Sequence, residues 1–193
     1  MISETLEANA AISAGLTPRG RLARQKGGIR NASCGVNFVN VSMACVGNTA
    51  IVNVGRLLEI RISLGFRNAS YVANHFADID AEVERIPLLD RIVIAADWRF
   101  CHVMSTDAGE SLVASLARHN PRIERSAVVA SANSPSAMLQ FTRLIRESGN
   151  PQRRLFTDAG EMASWLGEVL TPDERQRLAQ FLDESVDCFG SAT

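Results

Sequence analysis

Residues 91–97 read Arg-Ile-Val-Ile-Ala-Ala-Asp, five consecutive apolar side chains between an arginine and a carboxylate. So continuous an apolar run is typical of a strand that is covered on both faces, as the central strands of parallel sheets are. Parallel neighbours are joined by crossover connections, usually helices, so helical patterns are expected around it. The stretch therefore predicts the centre of an α/β sheet.

Downstream of this strand, helical stripes alternate with short buried runs. Serine before proline suits the start of a helix, and glycine suits its end. The predicted elements are, in order, a helix along Ala108, Leu112, Val113 and Leu116, a strand at Ser126–Ala130, a helix from Ser134-Pro135 to Gly149, a strand at Arg154–Phe156, a helix starting at Asp158 and a last helix starting at Thr171.

Upstream, the period of the apolar residues changes. A helical face is predicted where these residues recur at intervals of three and four, at Val72, Phe76, Ile79, Val83 and Ile86. Two β-rich runs precede that helix. In the second run, Leu57–Leu64, the charged Glu59 and Arg61 alternate with apolar residues, and this period of two predicts a half-buried strand.

The order of these elements defines the predicted fold class. A further strand-like pattern at Val36–Met43 precedes the run at Ala50–Val54, so the sheet is expected to begin as an antiparallel meander. Alternating helices and strands follow, and two helices end the chain. We therefore expect an α/β protein with a mixed sheet.

The ends of the chain differ from its centre. Residues 1–30 combine glycines with a basic run, and we expect a flexible or loosely docked tail there; the alternative is an arm that touches an acidic partner or a nucleic acid. Residues 31–187 are expected to form a single domain, and residues 188–193 are expected to fray.

Composition limits the classes of function. The chain has 20 basic and 21 acidic residues, so neither a nucleic-acid partner nor membrane insertion is expected. Its four cysteines lack the close spacing of zinc or redox sites, which favours reduced thiols in the cytoplasm. The sequence carries no recognised metal, cofactor or catalytic motif, so no metal, cofactor or catalytic residue is predicted.

The order of elements, together with Arg154, Phe156, Asp158, Trp165 and Leu166 in the late strand and helix, resembles the STAS-like group. This group includes anti-sigma-factor antagonists and bacterial domains with a SEC14-like fold, and the resemblance covers roughly residues 50–170.

In the antagonists, a partner kinase phosphorylates a serine at the start of the helix after the central strand. Ser105 and Thr106 occupy that place here, so the resemblance implies a phosphorylation or partner site at these two residues. The family's turn begins with an aspartate, and this chain departs from the pattern because Ser105 stands in that position.

Two further segments are candidate sites. Asp97, Trp98, Arg99 and His102 follow the central strand, where open α/β sheets bind ligands; the alternative is that they pack structurally. Arg122 and Arg125 flank Glu124 and could bind an anion or a partner, since arginine suits carboxylates and phosphates. Their alternative is a surface cluster of ion pairs.

The leading hypothesis for function is a non-enzymatic regulatory or protein-interaction module of STAS-like type. The rival is a small-ligand or lipid-binding domain, which would need an apolar pocket of several hundred cubic ångströms. An enzyme would require Asp97, Cys101 or His102 to converge with another polar group, and Cys101 would then be a low-pKa thiolate. The stripes around Trp165 and Phe181 could pack inward or build a homodimer.

Overall fold

The computed structural model describes residues 47–187. The strand-like segment Val36–Met43 and the two ends, residues 1–30 and 188–193, lie outside this range. The elements are β1 (Asn48–Val54), β2 (Leu57–Ile62), α1 (Ala69–Val83), β3 (Ile92–Trp98), α2 (Thr106–His119), β4 (Ile123–Ala130), α3 (Pro135–Glu147), β5 (Arg153–Phe156), α4 (Ala159–Gly167) and α5 (Pro172–Asp187).

The five strands form one mixed sheet in the order β1-β2-β3-β4-β5. β1 pairs with β2 antiparallel, and each later strand pairs with its predecessor in parallel. The run that predicted the centre of the sheet is β3, and all seven of its residues are buried. The expected fold class is confirmed.

The helices lie in two layers. α1, α2 and α3 share one core with one face of the sheet, through residues such as Val72, Leu112 and Phe141. α4 and α5 share a second core with the opposite face, through Met162 and Phe181. Connections between parallel strands are right-handed, and each of β3, β4 and β5 is added on the same side of the strand before it. The three connecting helices therefore lie on the same face of the sheet. Among residues 47–187, no helix combines the length and apolar character needed to cross a bilayer.

The prediction that Leu57–Leu64 is half-buried was wrong. β2 occupies this position, but all six of its residues are buried, including Glu59 at 4% and Arg61 at 8% exposure. The charged side of the strand faces α5 instead of solvent. Arg177 of α5 donates from Nε and Nη2 to the two Glu59 carboxylate oxygens at 2.8 and 2.6 Å, and this ion pair stabilises the buried carboxylate.

The start of α5 is tied to the turn between β1 and β2. Glu174 accepts hydrogen bonds from the amide and hydroxyl of Thr171 at 2.8 and 3.1 Å, which caps the helix. The other oxygen of Glu174 accepts from the amide of Arg56 at 2.8 Å. The buried carboxylate therefore fixes α5 against the sheet.

Candidate functional site

Asp97 and Arg99 bind each other at the carboxyl end of β3. Arg99 donates from Nε and Nη2 to the two Asp97 oxygens at 3.0 and 2.9 Å, and its backbone amide donates at 3.0 Å. Arg99 Nη2 also donates to the carbonyl of Leu182 at 3.3 Å. Because Asp97 is 1% exposed, this pair ties the end of β3 to α5 and does not face a ligand.

Trp98 and His102 lie apart from that pair. Trp98 packs in the core under α1–α3, edge-on to Phe141 with ring centroids 5.2 Å apart. Successive side chains of a strand point to opposite faces, so Asp97 and Trp98 cannot converge. His102 is exposed on the loop that follows. The structure therefore does not bring these predicted residues together in one polar site.

Cys101 is a structural thiol. Burial raises its pKa to about 12, and its Sγ donates to the carbonyl of His102 at 3.5 Å. A thiol with so high a pKa is not the activated thiolate that an enzyme at this position would need.

Arg122 and Arg125 contact different parts of the molecule. Arg122 donates to several backbone carbonyls between α1 and β3, including that of Pro87 at 3.0 Å. Arg125 pairs with Glu168 at 2.7 Å and lies over the ring of Trp165, 4.8 Å from its centroid. Each guanidinium holds neighbouring elements together, and the two do not converge on a shared anion position.

Ser105 is the N-cap residue of α2. Its hydroxyl donates to the carbonyl of Arg67 at 3.0 Å. The Ser105 hydroxyl, whose single proton can go either to Arg67 or to Asp107, and the donating backbone amide of Ala69 lower the pKa of the Asp107 carboxyl. The Ser105 hydroxyl therefore lies between an acceptor and a carboxylate.

Thr106 instead lines a groove between the first turn of α2 and the exposed side of α3. This α2–α3 groove has a volume of about 610 Å³, and its lining includes Val103, Thr106, Leu139, Thr142, Arg143 and Arg146. Leu139 is 76% exposed and Val103 is 55% exposed. Within residues 47–187, the Thr106 hydroxyl makes no hydrogen bond. Of the described residues, those that line the groove include two exposed apolar side chains and two arginines but no acidic side chain.

The floor of this groove is held by Gln140. Its side-chain oxygen accepts from the amide of Met104, and its nitrogen donates to the carbonyl of Met104, both at 2.8 Å. Met104 is itself buried, so the loop after β3 is fixed against α3. A fixed loop presents Val103 and Thr106 in one arrangement.

Leu139 and its neighbours were missed by the sequence interpretation. α3 buries Ala137, Phe141, Leu144 and Ile145, and Leu139 lies off this buried face. An apolar residue outside the buried stripe of its own helix is the signal that could have identified the exposed patch.

A small cavity lies inside the core between the sheet and α1–α3. Its volume is about 40 Å³, and its lining is mainly apolar, with His75 and Arg153 among the polar residues. Burial lowers the pKa of His75, and Asp78 opposes this effect. A space of this size holds a few water molecules and is far below that of a ligand pocket. Among the described residues, no cluster of His, Cys, Asp and Glu could hold a metal ion.

Comparisons with protein-family models, with curated proteins and with solved structures find no match to this chain. The resemblance to STAS-like domains therefore stays a prediction from the sequence.

Proposed function

We propose that the chain is a non-enzymatic protein-interaction module of STAS-like type, which presents the loop after β3 and the α2–α3 groove to a protein partner. The observation that carries the proposal is the exposure of Val103 and Leu139 in the groove that Thr106 also lines. By contrast, Asp97 and Arg99, which were candidates for a ligand site, bind each other inside the fold. Exposed apolar side chains beside a groove are typical of interaction surfaces.

Thr106 is the better of the two candidate phosphorylation positions. A phosphate adds about −1.5 to −2 charges and is favoured at the N-terminus of a helix. At Thr106 it would enter a groove with Arg143 and Arg146 and no carboxylate. At Ser105 it would displace the hydrogen bond to Arg67 and lie beside Asp107.

The test is affinity purification of the full chain from its own host, with mass spectrometry of partners and phosphosites. We expect the double variant Val103→Ser, Leu139→Ser to recover a specific partner at least about tenfold less well, which corresponds to about 1.4 kcal/mol. Its matched control is Leu89→Ser, because Leu89 is 97% exposed and does not line the groove. Equal recovery by all three proteins would contradict the proposal.

The rival function, binding of a small ligand or lipid, has weaker support. Its requirement is an apolar pocket of several hundred cubic ångströms. The internal cavity measures about 40 Å³, and the larger grooves are open at the surface. Extraction of the purified protein with organic solvent, followed by mass spectrometry, checks this: a stoichiometric lipid would favour the rival.

A further inference from the structure

A second groove runs along the outer edge of β5, on the other side of α3. This α3–β5 groove has a volume of about 760 Å³, and its lining includes Met138, Thr142, Arg146, Arg153, Arg154 and Leu155. It shares Thr142 and Arg146 with the α2–α3 groove. The two grooves therefore lie on either side of the exposed ridge of α3.

The charge of this groove is unbalanced. No acidic residue lines it, and within residues 47–187 none of Arg146, Arg153 and Arg154 forms an ion pair with a carboxylate. Most other arginines of the described chain do form such pairs, namely Arg56, Arg61, Arg85, Arg99, Arg118, Arg125, Arg143 and Arg177. Four other described arginines, Arg67, Arg91, Arg122 and Arg175, also lack a carboxylate partner and lie outside the groove, and Arg154 lies over the ring of Trp165, 4.7 Å from its centroid. The groove therefore has arginines that no carboxylate of residues 47–187 neutralises, and an acidic ligand could pair with them.

Arg153 adds a buried charge to this groove. It is 5% exposed, and its Nη2 donates to the side-chain oxygen of Asn120 at 3.1 Å and to the carbonyl of Leu116 at 3.4 Å. Its Nε has no partner among the described residues. Burial of a cation without a carboxylate costs free energy unless other groups compensate, so a negative ligand in the groove would be stabilised by this side chain.

The backbone of β5 is open on the same side. The amide of Ser126 in β4 donates to the carbonyl of Gln152. In a parallel pair of strands, this bond decides which residues of β5 bond to β4. Arg154 and Phe156 then bond to β4, and Leu155 directs its amide and carbonyl away from the sheet. At the opposite edge, the amide of Val52 in β1 is already bonded to Glu82 at 2.8 Å. β5 is therefore the edge that can accept another strand.

We propose that the α3–β5 groove binds an extended acidic segment of a protein partner, which adds to the outer edge of β5. Main-chain bonds to Leu155 fix its register. Successive side chains of β5 point to opposite faces of the sheet, so acidic side chains on the α3 side of the added strand meet Arg146 above the buried Arg153, and those on the other side meet Arg154. Such a short edge offers few backbone bonds, so the arginines supply most of the affinity. The inference deepens the proposed function by naming the chemistry of a partner.

The test uses the full chain and two fluorescent octapeptides with blocked ends, one repeating Glu-Glu-Val-Val and one repeating Lys-Lys-Val-Val, so that charged side chains lie on both faces of an added strand. We expect the acidic peptide to bind, with a shift of the Leu155 amide resonance. The double variant Arg146→Glu, Arg154→Glu should lower its affinity at least tenfold. The control Arg67→Glu, Arg85→Glu makes the same change of net charge at exposed positions outside the groove, and it should change affinity less than about twofold after allowance for screening.

Several results would overturn the inference. These are similar binding of both peptides, an equal loss of affinity in the two double variants, or acidic-peptide binding without a shift of Leu155. Stronger binding of a single-stranded oligonucleotide than of the acidic peptide would also overturn it. The variant Val103→Ser, Leu139→Ser should bind the acidic peptide normally, so a failure of this inference and a failure of the proposed function give different results.

Discussion

Gly55, in the turn between β1 and β2, has two independent reasons to be glycine. Its φ is +57°, and a Cβ at this position would lie 2.3 Å from Oε1 of Glu174. Glu174 cannot easily move, because its oxygens accept from Arg56 and Thr171. We expect Gly55→Ala to lower the free energy of unfolding by about 2–4 kcal/mol, from backbone strain and from weakened hydrogen bonds, as measured by urea denaturation.

Gly149, which follows α3, is the matched control for that measurement. Its φ is +71°, but a Cβ there would meet no atom within 4 Å. Gly149→Ala should therefore cost only the backbone strain, about 1–2 kcal/mol. If the two variants lost the same stability, the contact with Glu174 would have no energetic role.

Among the elements, helix ends were the best predicted feature. Asp158 was expected to start a helix, and its side chain accepts from the amide of Glu161 at 2.8 Å at the start of α4. Pro135 begins α3, and Gly149 follows the end of that helix with a positive φ. These signals are local, since a cap involves residues within one turn of each other.

The environment of β2 could not be predicted in the same way. Alternation of charged and apolar residues showed that one face of the strand is polar, but it did not show what covers that face. Glu59 pairs with Arg177, which lies 118 residues later in the chain. Leu139 and Gln140 escaped notice for a related reason, because the α2–α3 groove forms only when α3 packs beside the loop after β3.

The ion pair between Arg177 and Glu59 gives a prediction about how α5 is held. Arg177→Ala leaves a carboxylate that is 4% exposed, with Asn53 as its one remaining hydrogen-bond partner among the described residues. We expect a loss of about 3 kcal/mol in unfolding free energy, because an unpaired buried charge costs more than the pair contributes. The double variant Glu59→Leu, Arg177→Met should recover most of this loss. A double variant less stable than Arg177→Ala would contradict that account.

At the scale of the whole molecule, the topology bears on the ligand site predicted after β3. Open α/β sheets bind ligands where the strand order reverses and neighbouring helices lie on opposite faces. Among residues 47–187 the strand order does not reverse, and α1, α2 and α3 cover the same face. The described part of the chain therefore forms no crevice of this kind at the carboxyl ends of its strands, and the binding surfaces we propose lie on the outer side of α3.

The internal cavity provides a test of this whole-molecule view. Ala96 of β3 lines the cavity and is 3% exposed. We expect Ala96→Val to fill part of the space and to raise the free energy of unfolding by about 0.5–1 kcal/mol. Its control is Ala95→Val, because Ala95 faces α4 and α5 and does not line the cavity. Overpacking there should cost about 1–3 kcal/mol.

Binding measurements on the same variants distinguish a functional surface at α3 from a ligand site in the core. If the functional surface lies outside, at α3, then Ala96→Val leaves the affinity for the acidic peptide unchanged while stability rises. If the core instead held a small ligand, the added methyl groups would occupy its space, and less ligand would be extracted from the purified variant than from the unchanged protein. A loss of extracted ligand would therefore place the function in the core, whereas unchanged peptide affinity with a gain in stability supports a functional surface at α3.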